Sequence, residues 1–538
     1  MTIQLPSRQL ASQSGSAMVE NPQIPRSRFL NRFTIKKTFD VGPIYPLFVD
    51  EVLPGDHLKY QVTAYVRAAT LIFPNFDNLQ IDTFWFFVPM RLVWANTERF
   101  FGEQANPADS IAFTIPVITS DLGGFGANNI YDHMGLPTAL TAGQSISVNV
   151  LPLRAYNLIY NDWFRDENLI NSVSVLTSDG PEAQSGGNYT IRNRAKAHDY
   201  ITSCLPWPQK FTAPTVPLTG NAPVTGIGFQ TRNMANVGVS FVETGGATVN
   251  YPFSTYTTVA TTVGVRGTAA AGAVPEVYAN LSATGAGLLL NNLRQAWLIQ
   301  TLLERDARGG TRYIEKMYHQ FGVKSPDARL QRPEYIGGGS TPLVISPVAQ
   351  TATGGGGVGA LGAAATATGQ HVAEYAATEH GYVLGLLNVR SELSYAQGLR
   401  KMWSRSTQYD FYIPALAGLG EQAVLLQELY CTGTDASDTS VFGYQERWHE
   451  YRTLMSEVHG VFRPQAAGTL APWTLTQYFT SAPTLGQTFI EENNDQMTRA
   501  VSAGAAADNQ QFLGTFMLQR EAVRPIPMYG TPVTLGRF

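Results

Sequence analysis

Residues 81–88 read Ile-Asp-Thr-Phe-Trp-Phe-Phe-Val, and Pro89 closes the run. Side chains this rich in β-branched and aromatic groups favour a strand. A near-continuous apolar strand must be covered on both faces, as it is between two packed sheets. A helix could carry the same residues, but the β-branched content and the closing proline argue against it.

The neighbouring segments agree. Residues 44–52 are β-rich, and Pro54-Gly55-Asp56 supplies turn chemistry. In 57–69, Leu58, Tyr60, Val62, Ala64 and Val66 alternate onto one face. Residues 382–389 read as another strand. Charged residues make up only 14% of the chain, against about 25% in ordinary soluble proteins. Aromatics reach 11%, and Gly (50) and Pro (31) are concentrated in loops. Low charge, many turn formers and many aromatics describe an all-β protein with long loops, and they exclude a disordered one. At 538 residues, length alone allows two or three domains.

Helical spacing is confined to three places. Residues 155–169 place Leu158, Trp163 and Leu169 on one side, and 421–430 is a candidate helix. The clearest helical region is 288–321, where Ile314, Met317, Tyr318 and Phe321 recur at i, i+3, i+4, i+7 after the Gly309-Gly310 break. No period of 20–50 residues recurs, which sets aside solenoids and propellers.

Charge is unevenly distributed. Residues 304–334 hold twelve of the 78 charged residues, whereas 211–275 hold three (Arg232, Glu243, Arg266) and 337–370 none. A charge-dense helical segment between two nearly uncharged stretches suits a protein that works through surfaces. Residues 211–280 read as short strands and loops in a large insertion. Residues 337–370 read as a Gly/Ala-rich loop. Within them Gly357, Gly359 and Gly362 match dinucleotide-binding spacing, but no amphipathic helix follows to receive a pyrophosphate.

Nothing in the sequence assembles a catalytic or metal centre. The eight histidines form no H-E-x-x-H, and His371 and His380 stand in loop-like sequence. Adjacent acids such as Asp50-Glu51, Asp166-Glu167 and Glu491-Glu492 point to opposite faces when on a strand, and read as salt-bridge partners. Cys204 and Cys431 are far apart and read as two buried free thiols of a reducing compartment. The N-terminus lacks the apolar core of a secretory signal, and no run of about 18 apolar residues spans a membrane. The expectation is a chain made in a cytosol, without membrane insertion and without a cofactor.

The first 40 residues are the strongest binding candidate. Arg8, Arg26, Arg28, Arg32, Lys36 and Lys37 stand against Glu20 and Asp40, and prolines at 6, 22 and 25 keep the first half irregular. A basic extended arm suits sequence-independent phosphate contact, because counterion release requires only Lys and Arg near the backbone. Phe29 and Phe33, interleaved among the arginines, add candidate base-stacking rings. Across the chain 29 Arg outnumber 8 Lys, a bias toward bidentate interface and phosphate contacts.

Seven segments carry a family resemblance: IPRSRF (24–29), FDVGPIYPLFVDEVLPGD (39–56), DTFWFFVPMRLVW (82–94), CLPWPQK (204–210), GTRYIEKMYHQFGVKSPDARLQRPEYIGGG (310–339), LNVRSELSYAQGL (387–399) and FGYQERWHEYR (442–452). They resemble the major capsid proteins of the Microviridae, small tailless single-stranded DNA phages, and specifically their gokushovirus branch. The resemblance runs from about residue 24 to the C-terminus and is most specific in 310–339. It implies a single eight-stranded antiparallel jelly-roll β-barrel with very large inter-strand loops, spanning 41–538 behind the 1–40 arm. It further implies about sixty copies in a T=1 icosahedral shell around circular single-stranded DNA, assembled in the host cytoplasm. The insertion 211–285 would form a three-fold surface protrusion that meets a host surface receptor. A formal charge of −4 cannot by itself neutralise a packaged genome, so a small basic DNA-binding virion protein or cations are expected, and the resemblance implies such a protein as a partner.

Two other classes fit the composition: a carbohydrate-active or carbohydrate-binding β-sandwich protein, and a trimeric receptor-binding fibre. Particle formation distinguishes the shell reading from both.

Overall fold

The computed structural model describes residues 25–215, 290–349, 361–501 and 510–529, with short strands between 224 and 279. Two compact units divide the chain: 1–208 with 308–538, and 209–307. The first is built on eight long strands: β1 (Ser27–Phe39), β2 (Pro43–Val52), β3 (His57–Ala68), β4 (Leu79–Pro89), β5 (Glu334–Ala349), β6 (Leu361–Ala376), β7 (Gly381–Ser391) and β8 (Phe512–Arg524). They form one sheet in the order β1-β8-β3-β6-β5-β4-β7-β2, and the two-residue strand Arg192–Asn193 extends it beyond β2. Every pairing in the sheet is antiparallel.

The sheet curls until its ends meet through side chains. Phe33 of β1 lies 5.2 Å from Phe48 of β2, although seven steps of the hydrogen-bonded order separate them. Tyr60 of β3 stacks on Trp85 of β4 at 4.8 Å across the interior. The curl therefore encloses an apolar core, a half-barrel, with Trp85 and Phe87 at its centre.

The aromatic run behaves as its sequence requires. Alternate residues of β4 serve two different cores: Ile81, Trp85 and Phe87 fill the barrel, while Phe86 and Val88 point to the opposite side. The long excursion between β4 and β5 returns to cover that opposite side. Its helix α1 (Leu151–Ile159) carries Pro152 in the first turn, where a missing N–H costs nothing. It packs Leu151, Ala155, Tyr156 and Ile159 with Trp94, Ile118 and Tyr131 onto β2, β4 and β7. A third core, around Tyr200, Cys204, Val424 and Phe442, is organised by the hairpin Glu421–Leu425 with Val441–Glu446.

Several sequence expectations are corrected. Residues 27–39 are a full strand paired along β8, not a free arm, because Phe29, Phe33, Ile35 and Phe39 alternate inward among the basic residues. Residues 337–349 and 361–370 are strand, not loop; positions 350–360 lie outside the described residues. Ala365 and Ala367 face the barrel interior and are buried in its core. The helical spacing at 155–169 actually starts at Leu151 and ends in one π-turn, Tyr160–Phe164. It is buried nearly all round, so Leu158 and Trp163 are among its less covered positions. Residues 421–425 are strand, followed by a short 3₁₀ turn, not a helix. Cys204 is buried but Cys431 is exposed.

Within the expected helical region 288–321 the structure has α2 (Leu290–Arg308) and α3 (Tyr313–Phe321); residues 288 and 289 lie outside the described residues. Arg312 anchors the start of α3: its guanidinium reaches Glu167 at 2.8 Å and donates to the carbonyls of Asn161 and Arg165. Most of the insertion 211–285 lies outside the described residues. No described helix is long and apolar enough to cross a membrane.

Candidate nucleic-acid interface

The two halves of the sheet differ in cover. The half containing β2, β4 and β7 is buried on both faces. The half containing β1, β8, β3 and β6 has one face in the barrel and the other bare, as the alternation of β3 shows: Leu58, Tyr60, Val62, Ala64 and Val66 are buried, and His57, Lys59, Tyr65 and Arg67 are exposed. Cross-strand pairing fixes which side chains share the bare face. Lys36, Thr515, Tyr65 and Thr368 form one row across the four strands, and Arg32, Gln519, Gln61 and Val372 another.

The arm residues fall into distinct places. Arg8 lies outside the described residues. Arg26 is exposed beside Gly55 of the β2–β3 turn. On the bare face, Arg28 pairs with Glu521 at 2.7 Å and Arg32 donates to Gln519 at 3.1 Å. Lys36 projects there with no hydrogen bond or ion pair among the described residues. Lys37 points the other way and donates to the His133 carbonyl; burial pushes its ammonium down to about 8, with Asp132 opposing. Phe29 and Phe33 also take the inner side, with Phe33 against Phe48, so they are not beside the exposed arginines.

Sequence reasoning missed Lys59 and Arg67, although they occupy the complement of the apolar face already legible in 57–69. It also missed a crevice of about 980 Å³ that wraps the edge of β1. Phe33, Phe48, Lys36, Tyr65, Arg67 and His133 are among its lining residues.

His133 is a titratable weak point beside that crevice. Its ring lies 4.8 Å from Tyr45, and its Nε2 is enclosed without a hydrogen-bond partner among the described residues. Burial pushes its pKa down to about 4, the Lys37 ammonium acts in the same direction, and Asp132 opposes. The folded chain thus holds His133 neutral where the unfolded chain protonates it near 6.5. This contribution to stability is present above pH 6.5 and is lost as pH falls from 6.5 through 4. A His133→Gln variant is expected to show a flatter urea midpoint than the parent between pH 6.5 and 4. Identical pH profiles for the two proteins would refute the assignment.

Exposed apolar side chains form other surfaces. On α3, Tyr313, Tyr318 and Phe321 are exposed, Tyr318 to 63%. Met402, Trp403, Tyr409, Phe411 and Tyr412 form a second group between β7 and the Glu421–Leu425 hairpin. Exposed clusters of this kind mark contact surfaces.

A curled sheet with one bare face and further exposed aromatic groups describes a structural β-protein that works through broad surfaces. Comparison with known proteins specifies which kind. The family described as "Capsid protein (F protein)" matches residues 17–534. Capsid protein VP1 of Bdellovibrio phage phiMH2K is 42% identical over 98% of this chain and 99% of its own length. Capsid protein VP1 of Chlamydia phage 1 is 37% identical over 96% of each chain, and that of Spiroplasma virus 4 is 33% identical over 96% of each. The chain belongs to the phage capsid protein (F protein) family, and the gokushovirus resemblance read from its motifs holds. Membership carries a structural, non-enzymatic role as a self-assembling subunit of the virion.

Proposed function

We propose that the chain builds a T=1 icosahedral shell of about sixty copies, closed by point symmetry, around circular single-stranded DNA. The carrying observation is the strand order β1-β8-β3-β6-β5-β4-β7-β2. It splits into two four-stranded halves, β1-β8-β3-β6 and β5-β4-β7-β2, and that order supports reading the fold as an eight-stranded jelly roll with Greek-key returns. The long loops between its strands supply the contact area that several neighbours per subunit demand, on the order of 2,000 Å² or more for an obligate interface.

In this reading the bare cationic face, with Arg28, Arg32 and Lys36, turns toward the genome, and Arg26 beside the β2–β3 turn joins it. Lys37, committed to the His133 carbonyl, takes no part. Arg8 remains a candidate contact. A small basic DNA-binding virion protein supplies the remaining positive charge, since the subunit carries a formal −4. The insertion 211–285 forms the outer protrusion that meets a host surface receptor; its low charge supports that reading. Assembly takes place in the host cytoplasm.

The exposed face of α3 supplies the test. The apolar spacing of 311–321 suggests that a charge at Tyr318 would be buried within the subunit, but its exposure shifts the expected effect to contacts between copies. Wild-type chains are expected to form closed shells containing nuclease-protected DNA that single-strand-specific nucleases digest once it is released. Tyr318→Asp chains are expected to stay soluble with an unchanged melting temperature, and to lose at least tenfold in shell yield, about 1.4 kcal/mol. Small oligomers without shells from the wild type, or double-stranded contents, would overturn the reading.

A further inference from the structure

The bare face of β1-β8-β3-β6 is electrostatically polarised. Its two acids, Glu521 and Glu374, both lie in the row of Lys59. There they are matched by Arg28, which pairs with Glu521 at 2.7 Å, and His57, which reaches Glu374 at 3.4 Å. From the row of Gln61 to that of Arg67 the face holds no acid, and it carries Arg32, Lys36 and Arg67. Lys36 and Arg67 make no hydrogen bond or ion pair among the described residues. Between them stands Tyr65, 50% exposed, in the row that joins Lys36 through Thr515 to Thr368.

We propose that this acid-free end is a stacking platform for single-stranded DNA, with Tyr65 as the ring on which a base lies and Lys36 and Arg67 as its phosphate contacts. The proposal rests on the reading of the shell as enclosing single-stranded DNA. Three features carry it. An exposed aromatic on a sheet presents a ring face that any base can stack on, so no sequence preference is required. Two unpaired cations flank it where acids are absent, so phosphate approach displaces no existing ion pair. Threonine and glutamine side chains supply neutral donors at most of the intervening positions, with Met517 and Val372 as exposed apolar neighbours, unlike the aromatic surfaces on α3 and after β7. The platform runs about 20 Å along β3, from Gln61 to Arg67, at the usual rise of a strand. That is long enough for a few nucleotides. The crevice at the β1 edge opens beside it, sharing Lys36, Tyr65, Arg67 and Thr515. Its one acid, Asp132, already accepts the Asn128 N–H at 2.9 Å.

Full-length subunits titrated with fluorescent oligothymidylate provide the first measurement. Tyr65→Leu, which keeps an apolar strand residue, is expected to weaken binding about tenfold, and Tyr65→Phe to bind as the parent. Lys36→Ala and Arg67→Ala are each expected to flatten the slope of log affinity against log salt by about 0.7. Ultraviolet cross-linking of intact particles, read by mass spectrometry, is expected to place a nucleotide adduct on the peptide carrying Tyr65. Unchanged affinity in Tyr65→Leu, or adducts confined to other faces, overturns the platform while leaving the DNA-filled shell intact. Particles without protected single-stranded DNA overturn the underlying reading instead. A loss of shell yield in Tyr65→Leu with unchanged oligothymidylate binding would assign the face to a neighbouring copy, and would also overturn the proposal.

Discussion

Gly338→Ala is expected to eliminate soluble subunit. Gly338 sits in β5 between β4 and β6, paired with Phe84 on one side and Val372 on the other, just past a register shift at Tyr335/Gly337. Its φ of +155° is one that side-chain-bearing residues rarely adopt. A Cβ there would overlap the carbonyl oxygen of Thr83, part of the backbone ladder, and would crowd the Tyr335 hydroxyl. A backbone obstacle cannot swing aside as a side-chain tip can. β4 and β5 must separate next to the seam between the two halves of the curl, losing ladder hydrogen bonds and the packing of Trp85 beneath them. Backbone strain of about 1–3 kcal/mol adds to a clash of comparable size or more. Total stability in a domain is only about 5–15 kcal/mol. Gly418→Ala is the matched control, since a Cβ there meets nothing within 4 Å and the site is exposed. The two variants are to be compared by soluble yield and urea midpoint. Parental yield from Gly338→Ala would show that the β4–β5 crossing tolerates separation.

The same crossing shows what the sequence could reveal and what it could not. β4 was legible because its own side chains carry the signal: an apolar run with aromatic residues at successive positions can only be buried on both faces. β5 and β6 were not, because their burial is imposed by partners. Ala365 and Ala367 lie in the core because β6 is paired between β3 and β5, and nothing in a Gly/Ala/Thr string announces that. β1 was hidden for a different reason. Its inward Phe29, Phe33, Ile35 and Phe39 alternate correctly, but basic residues between them and a partner strand nearly 490 positions away made it read as an arm. Residues 421–425 illustrate the ambiguity of a short apolar run, which fits helix or strand until a partner, here Val441–Glu446, decides. For the site, the bare face follows from the alternation of 57–69 once its apolar half is assigned, which makes Lys59, Tyr65 and Arg67 recoverable. The inward turn of Lys37 is not, since only the position of His133 reveals it. Periodicity located the apolar face of α3 but carried no information on whether this chain or a neighbouring copy covers it.

Arg154→Ala is expected to cost about 3–5 kcal/mol, because it strands a buried carboxylate. Arg154 is fully enclosed in α1. Its guanidinium meets Glu182 through Nε at 2.9 Å and Nη2 at 2.6 Å, and Nη1 donates to the Val93 carbonyl at 3.0 Å. Tyr189 donates to the other Glu182 oxygen at 2.7 Å. The cluster ties together three separate parts of the excursion that covers β2, β4 and β7: the turn after β4, α1, and the segment near 182–189. Removing the cation leaves Glu182 with the tyrosine alone in a site from which water is largely excluded, while the Val93 carbonyl loses its donor. Arg154→Met with Glu182→Gln removes both charges at similar volume and is expected to recover much of the loss. That recovery, measured as a double-mutant cycle of urea midpoints, separates an uncompensated charge from simple loss of packing. No coupling between the two sites would refute the charge account. The functional consequence is selective. The cluster lies under the covered half of the sheet, so variants that remain soluble should bind oligothymidylate like the parent, because β1, β8, β3 and β6 keep their register. Weakened binding in those variants would mean that the bare face depends on the cover behind the opposite half, and that the two halves of the barrel are mechanically coupled.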